Sequence, residues 1–214
     1  MKTKILTAIA LFLSLTNLVY ADCPINNPIH VIIKKDISNC NIQSQQVTAD
    51  SIKITNSKII AALVTLGGTI ADNLEIFSDR TKLNYATLNK TKIIAASELK
   101  MVGGSATGGF FNSNNLILDN AQLDNLHMLT IDLSAYNRTK INSGGLMAMH
   151  LKLDNSHLKD VRVSGTIFCA KSLSTWQNSF IMGVSTNLSY QQLMVGGAKP
   201  KSFFLEFNDQ TACW

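Results

Sequence analysis

The chain has few charged side chains, and this limits the partners that its composition predicts. Charged residues make up 15% of the 214 residues, with 19 basic and 14 acidic side chains. Lys2 and Lys4 belong to the leader described below, so 17 basic residues remain against 14 acidic ones, a net charge of +3. This small excess permits weak attraction to anionic surfaces but does not indicate nucleic-acid binding. We therefore expect no nucleic-acid partner.

The chain also lacks the motifs of common enzymes, cofactor sites and metal sites. It has no His-x-x-x-His pair, no serine nucleophile elbow and no C-x-x-C pair. Its paired glycines complete neither a dinucleotide-binding pattern nor a P-loop. Four histidines are scattered along the chain: His30, His127, His150 and His157. We expect no catalytic residue, no metal site and no cofactor, and we expect a histidine such as His150 to lie on the solvated surface.

Beyond an N-terminal leader, no stretch is apolar enough to cross a membrane. In that leader Lys2 and Lys4 precede an apolar core at Ile5–Leu13, and a cleavage-site pattern ends at Ala21. These features predict a secretory signal peptide over residues 1–21 and a secreted or periplasmic mature protein without a transmembrane segment. The short, lysine-led signal is typical of bacteria.

All four cysteines lie in the predicted mature chain, at Cys23, Cys40, Cys169 and Cys213. An even number behind a signal peptide indicates disulfides in an oxidising compartment. Of the three pairings we favour Cys23–Cys40 with Cys169–Cys213, because each bond ties down one end of the chain. Two alternatives are weaker. A metal site lacks the C-x-x-C spacing, and a lipoprotein needs a small neutral residue where Asp22 precedes Cys23.

What the chain does contain is an internal repeat with a period of 35 residues. Each copy spaces its aliphatic residues five apart and places a small residue two before the middle leucine. The aliphatic residues are Leu83, Leu88 and Ile93; Leu118, Leu123 and Met128; Leu153, Leu158 and Val163, and the small ones are Ala86, Ala121 and Ser156. A fixed period indicates units that bury their apolar faces by stacking on one another. A spacing of five residues matches neither the period of a helix nor that of a flat strand. It suits a chain that turns a corner every few residues.

Paired glycines and alternating apolar residues also favour a β-solenoid. Five Gly-Gly pairs hold ten of the twelve glycines, and such pairs predict recurrent tight corners. Gly67-Gly68 and Gly103-Gly104 lie 36 residues apart, as do Gly108-Gly109 and Gly144-Gly145. No long segment shows helical periodicity, whereas runs such as 129–133 alternate between apolar and polar residues as strands do.

Three short segments resemble the A-x-L-x-x units of pentapeptide-repeat proteins. They are Ala86–Asn89, Ala121–Asp124 and Ser156–Lys159. The resemblance implies a right-handed, four-sided β-helix in which the small residue and the leucine point inward. It covers only part of the mature chain, so a more general β-helix stays open. The predicted fold class is therefore all-β: a β-solenoid, either a right-handed β-helix or pentapeptide-repeat-like, with a disulfide-tied aromatic C-terminal cap.

Composition divides the chain into four parts. Residues 1–21 are the signal peptide, 22–41 an N-terminal segment, 42–164 the repetitive β-solenoid and 165–214 a C-terminal cap or small β module. The last part is rich in aromatic residues. It either covers the apolar end coil, as solenoid caps do, or forms a small ligand-binding module.

One position of the repeat is basic in all three copies, where Lys92, His127 and Arg162 stand. Each lies one residue before an inward aliphatic side chain and so points outward. If the repeats stack directly, neighbouring groups lie ~4.7–4.9 Å apart and repel, which a phosphate or sugar acid would relieve. If several coils separate them, solvent and salt screen the charges. These three residues are the candidate site for an anionic glycan or cell-surface polymer.

The expected function is that of a non-catalytic protein that presents a surface, in a binding, adhesion or structural role. The alternative is a carbohydrate-active β-helix enzyme, which needs clustered acids in one groove. Asp119 and Asp154 occupy equivalent repeat positions, but each precedes an asparagine, and Asp-Asn at a repeat position is typical of a corner. A DNA-mimic role, known among pentapeptide-repeat proteins, conflicts with the export signal and the positive charge.

Overall fold

Parallel strands stacked coil upon coil form the fold in a computed structural model, which describes Cys23 and residues 29–171 and 174–187. The strands among these residues are β1 (His30–Ile33), β2 (Ile37–Ser38), β3 (Asn41–Asp50), β4 (Lys53–Gly67), β5 (Ile70–Asn84), β6 (Thr87–Val102), β7 (Ser105–Asp119), β8 (Gln122–Tyr136), β9 (Lys140–Asp154), β10 (His157–Lys171), β11 (Thr175–Gln177) and β12 (Phe180–Asn187). Strands β3 to β10 follow one another in sequence order. The predicted all-β solenoid is confirmed, and the described part of the chain contains no helix.

The 35-residue repeat is a pair of coils, because neighbouring positions in adjacent coils have a sequence separation of only 17 or 18. Leu88 pairs with Ala106 in the next coil, and Ala106 pairs with Leu123 in the coil after that. The leucines of successive repeats therefore lie two coils apart. This coil differs from the one that the pentapeptide resemblance implies, because four pentads need more residues than one coil contains.

Three corners divide every coil into three short faces. Between β6 and β7 the pairing covers Thr87–Asn89, then Thr91–Ala95, then Glu98–Val102, with a break after each stretch. We call these stretches and their equivalents in other coils the first, second and third faces. Each long strand is therefore nearly a whole coil that bends at the corners.

Two of the three corners use the left-handed backbone conformation, in which φ is positive. The first corner, before the first face, holds Ser51, Gly68, Tyr85, Gly103, Asn120, Asn137 and Asn155, and the second corner, before the second face, holds Asn56, Asn73, Lys90, Gly108, Asn125, Ser143 and Asp160. Glycine and asparagine adopt this conformation most readily. Gly68, Gly103 and Gly108, from three of the Gly-Gly pairs, lie at corners, as do Asn120 and Asn155 of the predicted Asp-Asn corners. Gly144 and Gly145 instead stand on the second face just after a corner, and Gly196-Gly197 lies outside the described residues.

Apolar side chains fill the interior in columns that run along the solenoid. One such column lies on the second face and holds Ile42, Ile59, Ile76, Ile93, Phe111, Met128, Leu146 and Val163, all of them buried. Burying a side chain of this size contributes roughly 1.5–3 kcal/mol. The predicted inward leucines and the small residues beside them are also buried: Leu88, Leu123 and Leu158, with Ala86, Ala121 and Ser156.

At the N-terminal end, Cys23 forms a disulfide with Cys40, as predicted. At the other end, β10 continues across the predicted boundary between the solenoid and the C-terminal cap at residue 165. Strands β11 and β12 both pair with β10 and add a further coil. Cys169 is buried, while Cys213 and most of the predicted cap lie outside the described residues, as does the signal peptide. The Cys169–Cys213 bond and the cap stay predictions.

Candidate functional site

Lys92, His127 and Arg162 lie in one outward column of the second face, but on alternate coils. Phe110 pairs with both Lys92 and His127 and so stands between them. Gly145 stands in the same way between His127 and Arg162. The expected spacing of ~4.7–4.9 Å therefore applies to adjacent coils and not to these three residues, whose backbones are about twice as far apart. Lys92, His127 and Arg162 therefore do not form a ladder of directly adjacent basic residues.

Lys92 is also engaged within the face. Its Nζ atom lies 5.6 Å from the centre of the Phe77 ring, and Lys58 Nζ lies 4.9 Å from the same ring. A cation near an aromatic face gains about 0.5–1 kcal/mol at exposed sites. Glu75 stands between Lys58 and Lys92 in the column and offsets part of their charge. The Lys92 end of the column is therefore nearer to neutral than the sequence suggested.

His127 and Arg162 form the more open end of the column. Gly145 lies between them and carries no side chain, and a Cβ placed there would lie 3.0 Å from His127 Nδ1. The imidazole thus leans over Gly145 toward the coil that carries Arg162. Both side chains are exposed. An anion seated above Gly145 would meet the imidazole from one side and the guanidinium from the other.

Beside this basic column runs an outward apolar column that sequence analysis did not identify as a surface. It holds Ile60, Phe77, Ile94, Leu129 and Met147, in adjacent coils except for Asn112 before Leu129. Leu129 is 40% exposed and its neighbour Met147 is 57% exposed. The alternating run at 129–133 predicted a strand here. Alternation alone does not show whether the apolar side chains of a strand point into the core or toward solvent, so the sequence did not reveal that Leu129 is exposed. A partner on the second face meets cationic and apolar groups side by side.

Several acidic residues hydrogen-bond to side chains of a neighbouring coil. Asn89 Nδ2 donates to Asp72 Oδ1 over 2.7 Å on the first face, and Asn137 Nδ2 donates to Asp119 Oδ1 over 2.7 Å near the first corner. On the third face, His150 Nδ1 and Asp132 Oδ1 lie 2.7 Å apart. These contacts link coils and distribute the acids over separate surfaces. Among the residues that the structure describes, no group of three or more His, Cys, Asp or Glu side chains is arranged to hold a metal ion.

The third-face pair borders a shallow depression of about 360 Å³. Ser134 and Lys152 pair with each other beside Asp132 and His150, and Asn115 precedes Asp132 in the same column. His150 lies outward, as expected from alternation with its neighbours Met149 and Leu151, but only Leu151 is buried and Met149 is 52% exposed. The pair is solvent-exposed, with 38% of the His150 side chain and 52% of the Asp132 side chain accessible. An imidazole and a carboxylate can in general act as acid and base, but here both side chains are open to solvent.

No protein-family model, curated protein or solved structure matches this chain. Within the described residues, no helix is long and apolar enough to cross a membrane. The functional interpretation therefore depends on the geometry of the faces.

Proposed function

We propose that this chain is a secreted or periplasmic, non-catalytic protein that presents its faces to an anionic glycan or cell-surface polymer. The observation that carries the proposal is the single outward column that contains Lys92, His127 and Arg162. Stacked coils repeat every outward position at the strand spacing, about 4.8 Å, so side chains form straight rows along the solenoid. A linear polymer can lie along such a row and contact several coils at once.

Within the column, His127 and Arg162 contribute most of the binding. They border the open step at Gly145, whereas Lys92 packs over Phe77 and lies next to Glu75. Screening over ~10 Å at 0.1 M salt makes exposed charges of this kind sensitive to ionic strength. Affinity for a polyanion therefore falls steeply as salt is added.

Heparin and lipopolysaccharide binding across a salt series tests the proposal. We expect the Lys92→Ala, Arg162→Ala double variant to lose most of the binding at low salt, with Arg162→Ala alone losing more than Lys92→Ala alone. Lys159→Ala is a matched control, because it removes an exposed lysine from the first face of the same coil as Arg162. Equal binding by the double variant and the wild type would show that the column is not a site.

The second candidate is a carbohydrate-active enzyme, and the Asp132–His150 pair beside the third-face depression is the observation in its favour. A glycosidase of the usual kind needs two carboxyl groups flanking one bond. Asp72, Asp119 and Asp132 instead contact partners at separate places on the coil, which supports the non-catalytic proposal. Assays for new reducing ends on acidic polysaccharides decide between the two. Turnover that disappears in Asp132→Asn would favour the enzyme.

A further inference from the structure

Tyr85 stands at the first corner, in a backbone conformation that bulky side chains disfavour. Gly68, Gly103 and Asn120 occupy this corner in successive coils around Tyr85, and all have positive φ. Tyr85 adopts φ 55°, although bulky residues that lack the short polar side chain of asparagine rarely take this conformation. Strain of this kind persists where the surrounding structure fixes it, and it concentrates at ligand sites.

The next coil is shaped to hold the Tyr85 ring. A Cβ placed on Gly103 would lie 2.5 Å from Tyr85 Cδ1, so only a glycine leaves room for the ring at this step. The ring thus rests against the backbone of Gly103, while Tyr85 as a whole remains 69% exposed. One side of the Tyr85 ring therefore contacts Gly103 of the next coil, and the rest of the ring is open to solvent.

A second large side chain with a disfavoured backbone lines the same surface. Asn137 and Arg138 both have positive φ, at 54° and 68°, so this corner contains one more left-handed residue than its neighbours. The Arg138 amide donates to the Asn155 carbonyl over 2.6 Å, which fixes the turn. The Arg138 side chain is exposed. In the part of the chain described, no ion pair of its guanidinium is found.

Tyr85 and Arg138 both line one shallow groove along the first corner, with a volume of about 560 Å³. Asn120, Asn155 and Asp119 line it between and beyond them. Three coil steps separate Tyr85 from Arg138, a distance of roughly 14 Å at the strand spacing. A ligand that touches both must be elongated and must follow the solenoid axis.

We propose that this corner groove binds a carboxylate-bearing oligosaccharide. The face of the Tyr85 ring is electron-rich and packs against the C–H face of a sugar ring. Arg138 pairs with a sugar carboxylate through its planar fork of donors. Between these two points, the amide of Asn120 and the Asp119 carboxylate oxygen that is not bonded to Asn137 hydrogen-bond to hydroxyl groups, and the amide of Asn155 does so one coil beyond Arg138. The groove does not include Lys92, His127 or Arg162, so it is a site separate from the basic column.

The first test uses a galacturonic acid hexamer and its methyl ester as probes in calorimetry with the full mature protein. The two probes share a shape, but the ester lacks the charge that Arg138 recognises. Wild type should bind the acid at least about tenfold more tightly than the ester, the ratio that one charge-assisted contact of modest strength gives. Arg138→Gln should weaken binding of the acid to the level of the ester. Failure of the wild type to bind the hexamer at 1 mM, or equal affinity for acid and ester, would overturn the proposal.

The second test separates binding from folding at Tyr85. Tyr85→Asn installs the residue that occupies this corner at Asn120 and Asn155, so the melting temperature should stay the same or rise. Hexamer affinity should nevertheless fall about tenfold or more. A lower melting temperature with unchanged affinity would assign the ring a purely structural role and refute the site.

The two proposed sites fail independently. The Lys92→Ala, Arg162→Ala variant should retain hexamer binding at the corner, and Tyr85→Asn should retain heparin binding at the column. Part of the hexamer affinity comes from the ring contact and should survive added salt, unlike binding at the column. Loss of hexamer binding in the column variant would place the hexamer there and contradict the corner site.

Discussion

Leu88 and Leu123 occupy the same core column, and Ala106 lies between them, paired with both. All three side chains are buried. From Ile54 to Leu123 this column alternates large and small side chains, with Ala71 and Ala106 as the small ones, which lets the inner layers interdigitate at the density that protein interiors require. Beyond Leu123, the large Ile141 stands between Leu123 and Leu158, so the leucines keep their 35-residue spacing without a small residue between them, and the coil itself is half as long.

Replacing a leucine of this column should destabilise the protein strongly. Leu123 is 1% exposed, so Leu123→Ala should lower the free energy of unfolding by about 2–5 kcal/mol through lost transfer energy and a cavity. Gln122 is exposed, so Gln122→Ala should change it by less than ~0.5 kcal/mol. Urea denaturation of both variants measures the difference. Equal losses would mean that the inward and outward positions are exchanged.

Gly144 should not tolerate a side chain, whereas its neighbour should. A Cβ on Gly144 would lie 2.1 Å from the Leu126 carbonyl oxygen, and its φ is 102°. Gly144→Ala should therefore cost more than ~1 kcal/mol, because neither the clash nor the backbone conformation can relax locally. Gly145 faces only the movable His127 ring, so Gly145→Ala is the control with a smaller loss. A larger loss at Gly145 than at Gly144 would contradict the corner geometry.

The Cys23–Cys40 disulfide closes a loop with a sequence separation of 17. Removing it with Cys23→Ala and Cys40→Ala should cost about 2–4 kcal/mol, since the open chain gains conformational entropy when unfolded. Non-reducing peptide mapping of exported protein checks the bond directly. The same map tests the predicted Cys169–Cys213 bond, and a cross-pair such as Cys23–Cys213 would refute both assignments.

The five-residue spacing predicted the inward residues because of how a corner changes strand alternation. Leu88 points inward and Asn89 outward; Lys90 then takes the left-handed conformation, and alternation resumes so that Ile93 points inward again. The extra corner residue converts a spacing of four into one of five. A corner residue is visible in sequence when it is glycine or asparagine, which is why the architecture could be predicted.

Coil length and the corner groove could not be predicted in the same way. The coils between the repeats carry Ala106 and Ile141 in the leucine column, with Gly104 and Thr139 two residues earlier. Neither coil therefore shows a small residue two before a leucine, and the repeat looked twice as long as the coil. Tyr85 follows Asn84 in the repeat, yet nothing in its residue type indicates a left-handed corner or a glycine beneath its ring. Both facts depend on which residues are neighbours in adjacent coils, and that register is a property of the stacked chain as a whole.

The register of adjacent coils is the claim from which both proposed sites follow, and paired cysteines measure it most directly. Ser105 pairs with Thr87 in one neighbouring coil and with Gln122 in the other. Disulfides form between residues whose Cα atoms lie about 4.4–6.8 Å apart, close to one coil step of ~4.8 Å and well below two. After mild oxidation of the Ser105→Cys, Gln122→Cys variant, mass spectrometry should find a new disulfide, and the Thr87→Cys, Gln122→Cys variant should give none. A bond in the second variant but not in the first would make the 35-residue repeat a single coil and contradict the account.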